Sequence, residues 1–126
     1  MDEKPAIADK PTILVVEDDE DTRAVLQDVL ELSGFSVRTC PDARHAVETA
    51  RARPPALMLV DYLMPDQDGA WVVRELRQLG VIFPVVLTTG STEGRAEADR
   101  LGLRSLEKPF DLNRLLELVR SLVPQA

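Results

Sequence analysis

Short apolar runs alternate with helically spaced apolar positions five times along the chain. Thr12–Val16 (TILVV) is almost continuously apolar, the pattern of a strand covered on both faces. Val25, Leu26, Val29 and Leu30 then share one helical face, and Gly34 supplies a stop signal. Phe35–Cys40 predicts a second, weaker strand, after which Asp42 caps a helix with Ala43, Ala46, Val47 and Ala50 inward, ended before Pro54-Pro55. Ala56–Val60 is a third strand, Asp66–Gly69 a turn and cap, and the next helix turns Val72, Val73, Leu76 and Leu79 inward.

Pro84–Leu87 predicts the fourth strand. Thr92–Leu101 predicts a helix weakened by Gly94 and by an inner face made mostly of Ala, so it is expected to be the most mobile element. Ser105–Glu107 is a short fifth strand. Asp111 caps a last helix with Leu112, Leu115, Leu116, Val119 and Leu122 on one stripe. Leu118 lies off that stripe and reads either as a flank of the core or as a contact for a partner or second copy. Strands alternating with helices imply an α/β domain of doubly wound (βα)5 form, a parallel sheet with helices on both faces. The domain of this pattern spans residues 12–123, with residues 1–11 as a short solvated arm.

Composition narrows the picture only where it excludes. At 126 residues the chain holds one ordinary core, and 44% apolar with 29% charged residues is the balance of a soluble globular protein. A net charge of −7 argues against a direct, sequence-independent grip on nucleic acid. No apolar run reaches the roughly 20 residues of a membrane helix, and the first residues lack the pattern of a secretory signal, so the expected compartment is the cytoplasm. The lone Cys40 excludes an internal disulfide and a Cys-rich metal site, and reads as a small buried hydrophobe.

Candidate chemistry lies where strands end. In a doubly wound sheet, ligands bind beyond the carboxyl ends of the strands, where strand order reverses. The first strand runs into Glu17-Asp18-Asp19, the third into Asp61, the fourth into Thr88-Thr89 and the fifth into Lys108. Two carboxylates about 4 Å apart repel by roughly 4 kcal/mol at an effective dielectric near 20. A hard divalent cation offsets that cost, and Mg²⁺ favours oxygen ligands, few carboxylates and a phosphate. Thr89 and Lys108 add a hydroxyl donor and a compact cation suited to a phosphoryl group, and a carboxylate can be its covalent acceptor. Asp19 and Glu20 read as caps of the following helix. Asp66-Gln67-Asp68-Gly69 lacks the remaining spacing of a calcium loop.

Four motifs carry a family resemblance: ILVVEDDEDTR at Ile13–Arg23, LVDYLMPDQDG at Leu59–Gly69, PVVLTTG at Pro84–Gly90 and EKPF at Glu107–Phe110. The chain resembles the receiver domains of two-component response regulators. That resemblance implies strand order 2-1-3-4-5. It implies Asp61 as the phosphorylated aspartate and Mg²⁺ (or Mn²⁺) held by Glu17, Asp18, Asp61 and the Leu63 carbonyl. Thr89 is then the hydroxyl that follows the phosphoryl group, and Lys108 the lysine that pairs with it, its bond to Pro109 being cis in many relatives.

The pattern is broken in two places. Relatives often carry an aromatic residue three positions before the lysine; here it is Ser105, and Gly102–Lys108 is one residue short. The tuning positions for phosphate lifetime are Leu63 and Ser91, and an apolar Leu63, unable to hold a water, implies a long-lived acyl phosphate.

Trp71 reads as a partly buried ring and His45 as a residue on a helix face away from the site, so the phosphoryl group is expected from another protein. The implied partners are a sensor histidine kinase or histidine phosphotransfer protein, a downstream protein target, and a second copy through the face of the fourth helix, fifth strand and fifth helix. The implied role is a switch that catalyses its own phosphorylation rather than an enzyme acting on others. Two rivals stay open: a Mg²⁺-dependent phosphatase, which usually needs a second aspartate where Leu63 stands, and a non-phosphorylated scaffold. The cognate kinase, the output, and whether the chain stands free or belongs to a larger regulator stay open as well.

Overall fold

The structure is a computed structural model that describes residues 10–123. Most of the arm expected at residues 1–11 lies outside the described residues. The elements alternate as β1 (Thr12–Val16), α1 (Glu20–Leu32), β2 (Ser36–Cys40), α2 (Ala43–Ala52) and β3 (Leu57–Asp61). They continue as α3 (Gly69–Gln78), β4 (Val85–Thr89), α4 (Thr92–Leu101), β5 (Arg104–Glu107) and α5 (Leu112–Leu122). All pairings are parallel, in the order β2-β1-β3-β4-β5.

Alternation within each strand divides the core in two. Leu14, Val16, Met58, Val60 and Leu87 face the cluster completed by α2, α3 and α4. Ile13, Val15, Leu57, Leu59, Val86 and Leu106 face the cluster with Leu26 and Leu30 of α1 and Leu115, Leu118 and Val119 of α5. Period-two side chains covered on both faces are why β1, β3 and β4 read as continuous apolar runs. The edge strand β2 is mostly half-exposed, which is why its signal was weaker.

Side chains depart from expectation where an element turns or ends. Leu118 is 4% exposed and packs with Leu115 and Val119, so the buried stripe of α5 is rotated toward it and Leu118 is core rather than a contact surface. Leu112, at the first position of α5, is correspondingly 40% exposed. Val25 is 50% exposed, because Leu26 and Leu30 set the inward face of α1. Leu79 is the C-cap residue of α3, followed by Gly80 at φ 74°, and stays largely exposed because it is past the helical period. Strand β4 runs two residues beyond the apolar run, since Thr88 and Thr89 are β-branched and keep the pairing.

Candidate functional site

Among the described residues, the buried polar and charged side chains are Glu17, Asp61, Thr88 and Thr89, and all four stand at the carboxyl ends of β1, β3 and β4. Order β2-β1-β3 makes β1 and β3 neighbours at the reversal point, which brings Glu17 and Asp61 to one crevice. Carboxylate oxygens of Glu17, Asp18 and Asp61 lie within 4.8 Å of one another. Glu17 and Asp61 are buried and Asp18 is exposed.

Lys108 closes the cluster from β5. Its Nζ donates to Glu17 Oε1 at 3.0 Å and to Asp61 Oδ2 at 2.9 Å. Its backbone N–H donates to the Thr89 carbonyl at 2.9 Å, which extends the β4–β5 ladder to the site, and the Lys108–Pro109 bond is cis. Glu17 is held at both oxygens, since Oε2 accepts from the Asp19 N–H at 3.1 Å. Its own carbonyl accepts from Arg23 Nη1 at 2.9 Å.

Burial pushes the Glu17 carboxyl above its usual range, and the Asp61 charge adds to this against the bonds from Lys108 and the Asp19 N–H. Burial alone would lower Lys108; its bonds to Asp61 and Glu17 outweigh that and keep the ammonium above the usual lysine range. One lysine thus serves two buried carboxylates, which leaves the crevice net negative and all-oxygen, a donor set that fits Mg²⁺ or Mn²⁺.

Thr89 lies at the same rim, but its hydroxyl is turned to Ser91. The Ser91 N–H donates to Thr89 Oγ1 at 3.1 Å, and the two hydroxyls are 3.2 Å apart. Leu63 follows Asp61 in the loop to α3 with its side chain 67% exposed. Ser105 is half-buried in β5, facing a groove of about 490 Å³ lined by Arg95, Glu107, Lys108 and Arg114 among others.

Several residues that hold this geometry escaped the sequence reading. Asp66, taken for part of a turn, reaches across to the start of α2, where its two oxygens accept from the Ala43 and Arg44 N–H groups at 3.1 and 3.0 Å. Asp68 supplies the cap that this turn predicted, accepting from the Trp71 N–H at 2.8 Å at the start of α3. A Cβ on Gly69 would sit 2.5 Å from the Asp61 carbonyl oxygen, and one on Gly94 2.1 Å from Thr89 Oγ1. The turn residues carried a hint for Gly69; no periodicity signals Gly94.

Trp71 is half-buried as expected, with the Arg44 guanidinium carbon 5.9 Å from its ring centre. His45 falls in the first turn of α2 with its side chain 68% exposed and Nδ1 2.8 Å from Asp42 Oδ2. Its hydrogen bond to Asp42 raises its pKa above 6.5, helped by the charges of Asp42, Glu48 and Asp66. A raised folded-state pKa gives stability that is present below 6.5 and lost as pH rises through the folded value. In an NMR titration the single histidine should therefore show a midpoint above 6.5, and Asp42→Asn should lower it.

Residues 13–120 match the family model for the response regulator receiver domain. The chain belongs to this family. It is 34% identical over 117 residues to the alkaline phosphatase synthesis transcriptional regulatory protein PhoP of Bacillus subtilis, covering 88% of this chain and 48% of that protein. It is 39% identical over 115 residues to the response regulator MprA of Mycobacterium leprae, covering 88% and 50%. The receiver thus spans about half the length of these curated relatives.

Among solved structures it resembles the chemotaxis protein CheY4 of Vibrio cholerae, with a TM-score of 0.82 and 25% identity over 90% of this chain and 99% of that one. NtrX from Brucella abortus is similar at TM-score 0.80 and 30% identity, over 89% of this chain and 26% of that one. Fold class and strand order agree with this receiver family. Among the described residues no helix is long and apolar enough to cross a membrane.

Proposed function

We propose that this receiver domain takes a phosphoryl group from the phosphohistidine of a sensor histidine kinase or histidine phosphotransfer protein onto Asp61. The observation that carries the reading is Lys108 bridging the buried Glu17 and Asp61 beside Asp18 at the sheet's reversal point. Asp18, Asp61 and the Leu63 carbonyl would hold Mg²⁺. Glu17, whose oxygens are already engaged by Lys108 and the Asp19 N–H, would act through a water. Bound there, the cation supplies positive charge against the oxygens of the transferring group.

Asp61 has one oxygen on Lys108 and offers the other to phosphorus. The new P–O bond forms as the P–N bond to the donor imidazole breaks, and the imidazole leaves with that electron pair. The product adds about −2 in charge near neutral pH, within reach of the Lys108 ammonium and, once it turns, the Thr89 hydroxyl. The resulting rearrangement changes the face of α4, β5 and α5, which a downstream protein or second copy reads.

An apolar groove of about 330 Å³, lined by Val25, Leu26, Phe110 and Leu112, adjoins the site, with the Phe110 ring 5.9 Å from Lys108 Nζ. A donor protein seated on it would bring its phosphohistidine to Asp61. The domain then works as a self-phosphorylating switch in the cytoplasm, without direct nucleic-acid contact. The exposed, apolar Leu63 cannot hold an attacking water by hydrogen bonding, which favours a long-lived acyl phosphate.

Intact-mass measurement after incubation with acetyl phosphate or phosphoramidate tests this reading. One phosphoryl adduct is expected that needs Mg²⁺, disappears in Asp61→Asn and decays slowly after the donor is removed. Absence of an adduct in a folded, Mg²⁺-binding protein would replace this reading with a scaffold role, and rapid turnover would point to a phosphatase.

A further inference from the structure

In this structure the hydroxyl expected to meet a phosphoryl group is engaged elsewhere. Thr89 Oγ1 accepts from the Ser91 N–H at 3.1 Å and lies 3.2 Å from Ser91 Oγ. Ser91 is at the same time the N-cap of α4, its Oγ accepting from the Gly94 N–H at 3.0 Å. The Thr89 side chain is therefore wired into the first turn of a helix. Gly94 is what lets that turn lie so close, since a Cβ there would stand 2.1 Å from Thr89 Oγ1, 2.7 Å from its Cβ and 3.0 Å from its Cγ2.

We propose that Ser91 and Gly94 form a latch on the first turn of α4 that holds Thr89 away from Asp61 until a phosphoryl group competes for its hydroxyl. The inference rests on the phosphoacceptor reading of Asp61 and adds the element that Thr89 must release. Thr89 Oγ1 accepts from the Ser91 N–H whichever way its own proton points, so the competition is for that single proton, between Ser91 Oγ or the Ser91 carbonyl on one side and a phosphoryl oxygen on the other. Turning Thr89 withdraws a partner from the Ser91 cap, and the helix that was packed against its side chain must reseat.

Apart from Glu93, whose side chain is hydrogen-bonded to the buried Tyr62, little else fixes that first turn. The fully buried residues of α4 are Gly94 and Ala98, so its hold on the sheet is short of apolar area. Across β5, the bridge from Arg95 to Glu107 measures 3.5 Å between side chains that are 42% and 71% exposed, which makes it a weak tether. On that flank lies the groove of about 490 Å³ beside Ser105, where the small side chain leaves room for the turn carrying Arg95 to move. Farther along, the buried Tyr62 next to Asp61 packs in the same core cluster as Ala98, and Arg74 of α3 meets Glu97 at 3.4 Å. These contacts keep the later turns seated while the first one moves. The coupling of site to α4 thus runs through the helix cap in a chain with no aromatic residue at position 105.

Labelled wild type, Ser91→Ala, Ser91→Thr and Gly94→Ala protein, all free of ligand, would be compared by NMR for the Thr89 χ1 angle (from couplings to its methyl carbon) and for the Gly90 and Gly102 amides. One Thr89 rotamer is expected in wild type and in Ser91→Thr, which keeps the cap hydroxyl. A second or averaged rotamer is expected in Ser91→Ala and Gly94→Ala, with the amides displaced toward their positions in wild type bound to Mg²⁺ and beryllium trifluoride. Both loosened variants should bind beryllium trifluoride with Mg²⁺ about five-fold more tightly, because less of the population is held in the parked state.

Should Gly94→Ala fail to fold, Ser91→Ala against Ser91→Thr decides alone. An unchanged Thr89 rotamer in the folded variants overturns the latch. A wild type that takes no beryllium trifluoride, while Thr89 still moves in the variants, overturns the phosphoacceptor reading and with it the release by a phosphoryl group, and leaves only the resting tie between Thr89 and α4.

Discussion

Lys108→Ala should lose about 3 kcal/mol of stability in the absence of divalent cations, roughly 10 °C in Tm, and much of that loss should return on adding Mg²⁺. The wild-type ammonium lies 3.0 Å from Glu17 and 2.9 Å from Asp61, whose side chains are only 2% and 8% exposed. Removing it leaves two carboxylates facing each other out of water, the arrangement that makes breaking a buried ion pair costly. The loss stays near this figure rather than above it because Lys108 itself is partly wet.

The deficit should also depend on pH. Burial already pushes the Glu17 carboxyl up, and losing the lysine removes a bond that lowers it. A carboxyl with a raised folded-state pKa is best tolerated when protonated, so the variant should be closest to wild type below the unfolded value near 4.5 and fall behind as pH rises through the folded value. Mg²⁺ restores positive charge among the same oxygens and should raise the variant's Tm more than the wild type's. Thermal melts in chelator and in MgCl2, at two pH values, measure both. A deficit independent of pH and of Mg²⁺ would mean that the carboxylates do not converge in solution.

The parts of the molecule legible in the sequence were those set by period and order. Strands β1 and β3 announced themselves because both faces are covered, and Thr92–Leu101 was bounded correctly, although the Ser91 cap and the Gly102 end at φ 71° are seen only in the structure. Carboxylates and a lysine at successive strand ends were visible as a convergent set, because a parallel sheet puts those ends on one rim.

What escaped reading was rotation about an axis and distance across space. Leu118 was placed one position off the stripe of α5, and Val25 was counted as inward by a period that tolerates about one residue of error. Gly94 looked like a weakness in a helix; its reason is a close approach to Thr89, which lies on another element. Thr89 itself was read by position alone, and only coordinates show its hydroxyl turned to Ser91.

Gly69→Ala should reduce Mg²⁺ affinity and the rate of phosphorylation by acetyl phosphate at least ten-fold, with a stability loss of about 2–3 kcal/mol. The strain falls on parts that cannot yield cheaply. A Cβ at this position meets the Asp61 carbonyl oxygen at 2.5 Å, its carbon at 3.1 Å and Leu87 Cδ1 at 2.8 Å. Two of these atoms are backbone at the end of β3, held in the sheet by pairing with β4, where Asp61 aligns with Thr88 and the Tyr62 N–H donates to the Thr88 carbonyl at 2.8 Å. Relief must therefore come from α3 and the loop before it.

That loop is tied at three points: the Gly69 N–H on the Tyr62 carbonyl at 2.8 Å, Asp66 on the first turn of α2, and Asp68 on the first turn of α3. Shifting it moves Leu63, whose carbonyl is the third proposed protein ligand, away from Asp61. Metal affinity and transfer should then fall together while Lys108 keeps its bonds to Glu17 and Asp61. Isothermal titration with Mg²⁺ and the intact-mass rate assay would be run below the variant's lowered Tm, so that unfolding does not mimic the effect. Loss of stability with unchanged Mg²⁺ affinity would mean that Leu63 takes no part in holding the ion and that Gly69 serves packing alone.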